Sequence, residues 1–145
     1  MADKSVDICY DLTDGIFNVL NGNVIYDDVE YPVYKSIPKA PASLYVFIGD
    51  IISIEDGTKD SFIYTGSIRL EVVDERNMRA DKKIIYNVLS VVRGLLKVTK
   101  GHTFNIGDDL KLVIFSHETL NTFTEISDTG ISRIRLIDNY NFVIN

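Results

Sequence analysis

Two stretches of the chain, LYVFIGDIISI at Leu44–Ile54 and SFIYTGSIRLEVVD at Ser61–Asp74, decide its fold. Both are rich in β-branched and aromatic residues, which are typical of β-strands. The short connector between them contains Asp56 and Gly57, residue types that favour turns. Together the two stretches predict a long β-hairpin around which the rest of the chain is organised.

The two limbs of this hairpin differ in how they distribute apolar residues. In the second limb the apolar residues share one parity: Phe62, Tyr64, Ile68, Leu70 and Val72. The other parity is polar and carries Thr65, Ser67, Arg69 and Glu71. A period of two predicts one buried face and one face that is wet or contacts a partner. In the first limb every residue from Leu44 to Ile48 is apolar, which predicts a strand covered on both faces.

Two amphipathic helices are predicted on either side of the hairpin. The first spans Asp3–Asn21, where apolar residues recur at helical spacing and Gly22 provides a C-terminal stop. The second begins near Asn77, a plausible N-cap, and ends before Gly101. Its broad apolar stripe is expected to pack on the apolar face of the hairpin.

The remaining elements are predicted to be strands. Short extended pieces are expected at Val24–Tyr26 and Val33–Ile37, and long strands at Leu110–Phe115 and Ile131–Ile137. The polar segment Glu118–Thr129 is longer than a hairpin turn requires and is predicted to be a loop. The apolar C-terminal tail is expected to dock on the domain. The fold class is therefore α+β: an antiparallel β-sheet with two helices packed on one face.

Length and composition restrict the class of protein. A chain of 145 residues is expected to form a single domain over residues 1–145. No apolar run approaches the roughly 20 residues that cross a bilayer, and no signal peptide is recognisable, so we expect no membrane partner. The lone Cys9 cannot form an intrachain disulfide, which suits a reducing compartment. A net charge of -6 disfavours binding to DNA phosphates but would suit the wall of a DNA passage.

No stretch of the sequence has the pattern of an active site. His102 and His117 lie outside any metal-binding spacing and are expected to be surface or capping residues. The acid pairs Asp27–Asp28 and Asp108–Asp109 are more typical of turns than of metal sites. Cys9, one turn into the first helix, is expected to be a small buried hydrophobic residue. We therefore expect no catalytic residue, no cofactor and no metal.

The order of elements resembles that of the tail-completion or tail-terminator proteins of tailed bacteriophages. The resemblance is most specific in SIPKAPASLYVFIGD at Ser36–Asp50, a proline-containing connector that leads directly into an aromatic and aliphatic strand. It is looser in DTGISRIRLI at Asp128–Ile137, which is similar to the closing strand of that family. As an order of elements, it covers nearly the whole chain.

The resemblance implies a structural role in a virion. In that family, subunits form a ring at the head-proximal end of the tail, stop tube growth and join the tail to the head. It implies that this chain forms a homo-oligomeric ring, a hexamer or dodecamer, in the phage neck or tail after synthesis in the bacterial cytoplasm. Its partners would be further copies of itself, the portal or connector, and tail or neck proteins. DNA would pass through the lumen without sequence-specific binding.

Two polar segments are the candidate contacts with neighbouring chains. Their lengths exceed what closing a strand pair requires, since two to five residues suffice for a hairpin. The candidate residues are Glu55, Asp56, Gly57, Thr58, Lys59, Asp60, Glu118, Thr119, Leu120, Asn121, Thr122, Phe123, Thr124 and Glu125.

Two other classes of function remain open. One is a small intracellular module that binds a protein or peptide and has no role in a virion. The other is a metal-dependent enzyme that uses Asp108, Asp109 and either His102 or His117. The absence of a clustered pattern of acids and histidines disfavours the enzyme.

Overall fold

The computed structural model of the chain describes residues 4–55, 63–76, 82–98, 103–107, 110–126 and 129–145. These residues contain two helices and seven strands. In chain order the elements are α1 (Lys4–Leu20), β1 (Ile25–Tyr26), β2 (Val29–Glu30), β3 (Val33–Tyr34), β4 (Leu44–Glu55), β5 (Tyr64–Arg76), α2 (Lys82–Leu95), β6 (Leu112–Ile126) and β7 (Ser132–Ile144). None of the described helices is long and apolar enough to span a membrane.

Five of the strands form one sheet in the order β3-β4-β5-β7-β6, and β1 and β2 form a separate small hairpin. The β4–β5, β5–β7 and β6–β7 pairs are antiparallel. Only the two-residue strand β3 runs parallel to its neighbour, β4. Because β7 inserts between β5 and β6, the last strand of the chain is central and β6 lies at the edge.

Both helices pack on the same face of this sheet, which we call the helix face. Alternate residues of β4, β5 and β7 point towards the helices and join their apolar residues in one core cluster. Ile16 of α1 and Ile85 of α2 are fully buried there with Leu70 and Leu136 of the sheet. The predicted α+β class, with two helices on one face of a mostly antiparallel sheet, is confirmed.

The central hairpin and its covering agree with the prediction from sequence. Leu44, Tyr45, Val46 and Ile48 are buried, and Phe47 is half-buried. Tyr45 points away from the helices, to the opposite face of the sheet, which we call the outer face. There its ring lies 5.3 Å from that of Tyr34. The run of apolar residues therefore reflects a strand covered on both faces, as expected.

The predicted loop at Glu118–Thr129 is wrong as far as Ile126, and residues 127 and 128 lie outside the described residues. Strand β6 continues through Ile126, and its residues from Thr119 onwards pair with β7 as far as Ser132. The C-terminal tail, expected to dock, is likewise part of the sheet, since β7 extends to Ile144. The segment is polar because it is exposed, and backbone pairing makes it a strand.

The acid pair Asp27–Asp28 forms a turn, as expected. Both residues have positive φ, at 53° and 63°, and connect the paired residues Tyr26 and Val29. A two-residue hairpin turn with positive φ at both central positions matches the twist of the flanking strands, and Asp tolerates this conformation. Asp108 and Asp109 lie outside the described residues.

Candidate subunit interface

Strand β6 is the most exposed long element of the described chain. Of its 15 residues, only Leu112 and Phe115 are buried. It is paired with β7 on one side, and no described strand pairs with its other side. Large apolar side chains are exposed along it: Val113, Ile114, Leu120, Phe123 and Ile126. An edge of this length, with apolar residues exposed, is a surface on which another strand can be added.

The sequence of β6 has few of the features that protect sheet edges. Its residues, LVIFSHETLNTFTEI, include no proline, lysine or arginine. Natural edge strands are commonly protected by such residues, by being short, or by β-bulges. Apart from the two charged residues Glu118 and Glu125, β6 has only bulges, one between Leu112 and Ile114 and another between His117 and Thr119. Most of the edge thus remains open to pairing.

A buried carboxylate fixes β6 and α2 to the centre of the sheet. Asp138 of β7 is fully buried on the helix face. Arg93 of α2 donates to it from Nε to Oδ2 and from Nη2 to Oδ1, at 2.8 Å each. Nε2 of His117 on β6 lies 2.9 Å from Oδ1. Bidentate, charge-assisted contacts of this kind are among the strongest hydrogen bonds in proteins.

The same cluster perturbs the ionisation of two of its members. Hydrogen bonding to Asp138 raises the pKa of Arg93, so its guanidinium stays charged. Burial and then the negative charge of Asp138 raise the pKa of Tyr140 above its ordinary range. The ring of Tyr140 also stacks on Phe115 of β6, at 4.7 Å between centroids. The cluster therefore joins α2, β6 and β7.

On the outer face a second ion pair reaches β6. Arg135 of β7 donates through Nε to Oε1 of Glu71 on β5 at 3.1 Å, and its Nη2 also contacts that oxygen. The guanidinium lies 6.0 Å from the ring centroid of Phe123, and Nη1 lies 3.9 Å from Oε1 of Glu125. Both β6 residues are exposed. Arg135 thus orients them without covering them.

The opposite end of the sheet has a second, shorter free edge. Strand β3 pairs with β4 only at Val46 and Phe47. From Ile51 to Glu55, β4 pairs with β5, and no described strand lies on its other side. Ile52 in this segment is 67% exposed on the outer face. The described sheet therefore has one free edge at each end.

The candidate contact residues predicted from sequence fall in different places. Glu118, Thr119, Leu120, Asn121, Thr122, Phe123, Thr124 and Glu125 all lie on β6 and are exposed. Glu55 is the last residue of β4. Asp56, Gly57, Thr58, Lys59 and Asp60 lie outside the described residues. The structure thus brings the second group together on one edge, as a strand.

Sequence reasoning missed the role of Asp138 and, with it, that of His117. His117 is exposed, as expected of a surface residue, but its ring also joins the hydrogen-bonding network of the buried carboxylate, which the sequence did not predict. A signal was present in the sequence. Asp138 occupies the same parity as Ile134 and Leu136, so an acid stands where the alternation of β7 requires a core residue. His102 lies outside the described residues.

The described residues offer little other chemistry. Within them, no three His, Cys, Asp or Glu side chains are grouped as metal ligands. Cys9 is half-buried, and burial raises its pKa, which makes its thiol less reactive.

Comparison with known proteins gives a likeness in structure only. No protein-family model matches the chain, and no curated protein matches it either. It is similar to a chain of a solved structure described as the virion of a native gene transfer agent (GTA) particle, with a TM-score of 0.69 and 15% sequence identity. The match covers 93% of this chain and 96% of the other. The two chains therefore share a fold over nearly their whole lengths.

Proposed function

We propose that this chain is a structural protein of a phage-like virion. Copies of it form a homo-oligomeric ring, a hexamer or dodecamer, in the neck at the head-proximal end of the tail. The ring completes or terminates the tail and joins it to the portal or connector. The observation that carries the proposal is the fold shared with a chain of a gene transfer agent virion, which covers 93% of this chain.

Two properties of the chain support an assembly role. Strand β6 is long, exposed on both faces and unpaired by described strands along one side, as expected of an element that is covered only in an assembly. The net charge of -6 suits a DNA passage, because a negatively charged wall repels the phosphate backbone and prevents sticking. In this proposal DNA passes through the ring without sequence-specific binding.

The buried carboxylate cluster has a structural role here. Both oxygens of Asp138 accept hydrogen bonds from Arg93, and His117 lies against one of them. The cluster holds β6 against α2 and β7, so that the exposed edge is presented as a rigid strand. We propose that the protein has no catalytic activity.

Deleting the gene for this chain from the genome that encodes the particle tests this function. We expect the deletion to yield unjoined heads and tails, or tails of irregular length, and complementation to restore complete particles. Cryo-electron microscopy of the complemented particles should show density for this fold as a ring at the head–tail junction. Complete, infectious particles from the deletion strain would contradict the proposal.

A second candidate function is favoured by the same free edge. An open strand such as β6 also accepts an extended peptide by strand addition, as in small protein-binding modules. A monomer that binds an extended peptide and is missing from purified particles would favour this alternative.

A further inference from the structure

The geometry points to a specific contact between copies: the first half of β6 in one copy pairs antiparallel with β4 of the next. This inference rests on the proposed ring and specifies how its subunits join. Within the described residues, the five-stranded sheet has unpaired backbone at both ends. One end is the edge of β6. The other comprises the far side of the two-residue strand β3 and the longer segment Ile51–Glu55 of β4.

The directions of the strands favour joining these two edges. Each of the pairs β4–β5, β5–β7 and β7–β6 is antiparallel, so β4 and β6 run in opposite directions. A second copy placed beside β6 in the same orientation therefore presents an antiparallel β4. A contact between unlike edges is heterologous, and its repetition closes a ring if the rotation between copies allows it. A contact between two β6 edges would instead stop at a dimer and leave both β4 edges open.

The backbone of β6 shows which of its groups are available. Lys111 and Asn145 exchange both backbone hydrogen bonds, at 3.0 and 2.9 Å. In an antiparallel pair, the backbone N–H and C=O groups of successive residues point alternately towards the partner strand and away from it. The hydrogen-bonded pair Lys111–Asn145 fixes this alternation along β7. The residues of β6 whose backbone groups point away from β7 are therefore those opposite Phe142 and Tyr140. These are Phe115 and His117.

The same argument gives the available groups of β4. The backbone N–H of Glu75 donates to the carbonyl oxygen of Ser43 at 2.7 Å, so odd-numbered residues of β5 point at β4. The backbone groups of Gly66 and Ile68 therefore point away from β4, towards β7. Those of their β4 partners, Ser53 and Ile51, point to the free edge. Each edge thus offers donors and acceptors at alternate positions.

Residues paired across successive strands form rows perpendicular to the strands, and these rows bring the free backbone groups of β6 and β4 into register. Ile52, Ser67, Asn141 and Ser116 are successive partners in one row across the four long strands. Continuing that row straight across the boundary places Ser116 opposite Ile52 of the next copy. Phe115 then faces Ser53, and His117 faces Ile51, so that outward-pointing groups meet each other.

The side chains and bulges agree with this register. Ile52 is 67% exposed and Ile114 is 48% exposed, and both lie on the outer face. The new pairing would bury them close together, which removes apolar surface from water. The bulge between Ile48 and Ile51 in β4 and the bulge between His117 and Thr119 in β6 both lie next to the row in which Ile51 would face His117, on the same side of it. The pairing between copies therefore stops before the part of β4 that is already paired with β3 of the same copy. The segment Glu118–Glu125 remains available for other contacts.

Disulfide cross-linking tests the contact. Ser116 and Ile52 form a pair without hydrogen bonds to each other, the arrangement with the shorter distance between side chains. We would combine Ser116→Cys and Ile52→Cys in a Cys9→Ala background and oxidise the native assembly mildly. Non-reducing electrophoresis should show a ladder of covalent oligomers. Each single variant alone should stay monomeric on the gel, and a mixture of the two should give only a covalent dimer.

A matched control and a second measurement make the test decisive. Asn121→Cys with Ile52→Cys uses an exposed outer-face residue in a different row and should give no ladder. In the unmodified protein, the amides of Phe115, His117, Ile51 and Ser53 should gain protection from hydrogen exchange on assembly. Rings that form without cross-linking or protection would overturn this contact and leave the proposed function standing. Cross-linked dimers from Ser116→Cys alone would show a β6-to-β6 contact and overturn it too. Wild-type protein that never assembles would contradict the proposed function itself.

Discussion

Arg93 on α2 and Asp138 on β7 form a bidentate ion pair, with both N–O distances at 2.8 Å and the carboxylate fully buried. The pair connects the helix layer to the centre of the sheet, and His117 joins the edge strand to the same carboxylate. The position of the exposed edge therefore depends on a charge that has no access to water.

Removing the arginine should destabilise the fold strongly. Arg93→Ala leaves the fully buried carboxylate of Asp138 with His117 alone. Arg93 itself is 38% exposed, so water screens the pair, and the cost should lie at or below the figure of about 3–5 kcal/mol for breaking a fully buried pair. Arg133→Ala is the matched control, because Arg133 is as exposed as Arg93 but its partner Glu75 is 49% exposed and 3.7 Å away. That change should cost less than about 1 kcal/mol. Urea unfolding measures both, and similar costs for the two variants would contradict this role.

Tyr140 should make stability decrease in alkaline solution. Its pKa is raised in the folded state, first by burial and then by the charge of Asp138. The folded state therefore holds this proton more tightly than the unfolded chain does. The resulting stability is complete below the unfolded pKa, about 10, and is lost progressively as pH rises above it. Tyr140→Phe should flatten the fall in unfolding free energy above pH ~10, and an unchanged slope would count against the effect.

Two glycines should respond oppositely to a methyl group. A Cβ at Gly66 would lie 1.9 Å from the carbonyl oxygen of Ile52 and 2.8 Å from Cζ of Phe142. Gly66→Ala should therefore force the central hairpin apart and cost more than about 2 kcal/mol. A Cβ at Gly94 on α2 meets nothing within 4 Å. Gly94→Ala should stabilise the protein by about 0.5–1 kcal/mol, because glycine disfavours helix. Thermal unfolding of both variants checks the pair.

The core between the helices and the hairpin should be sensitive to truncation. Leu89 of α2 and Leu70 of β5 are 3% and 1% exposed and belong to one core cluster. Leu89→Ala and Leu70→Ala should each cost about 2–5 kcal/mol. Denaturant unfolding measures these costs, and values below ~1 kcal/mol for both would mean that the assigned core face is wrong.

The parts of the fold predicted from sequence are those with a buried face. The alternation in β5 and the helical stripes of α1 and α2 exist because one side of each element contacts the core. Strand β6 has no such pattern beyond Phe115, since both of its faces are exposed. Its polar residues are typical of a loop, and only pairing with β7 makes them a strand. Sequence periodicity reports burial and cannot report backbone pairing at an exposed edge.

The candidate interface was predicted in part for the same reason. The length and polarity of Glu118–Glu125 exceed what a turn requires, and the segment does lie on an exposed edge. The free edge of β4 could not be predicted, because it depends on β3 pairing with only Val46 and Phe47. Partners in a sheet are set by contacts between segments distant in sequence, which a single sequence does not display.

A backbone substitution should separate assembly from folding. Ser53 of β4 directs its N–H to the free edge, and Ile52 directs its N–H to β5. Ser53→Pro should leave the monomer folded and raise the concentration needed for assembly by roughly tenfold or more, since it removes an intersubunit donor. Ile52→Pro breaks the β4–β5 pairing and should unfold the protein by circular dichroism. Normal assembly of folded Ser53→Pro would argue against a contact through this edge.

The mass of the native assembly tests the central claim most directly. The chain has a mass of 16.4 kDa, so light scattering or mass photometry across a concentration series resolves each added copy. A closed ring predicts one dominant species at a fixed multiple of that mass, a hexamer or dodecamer, with few intermediates at high concentration. A monomer that persists at every concentration and is missing from purified particles would contradict the account.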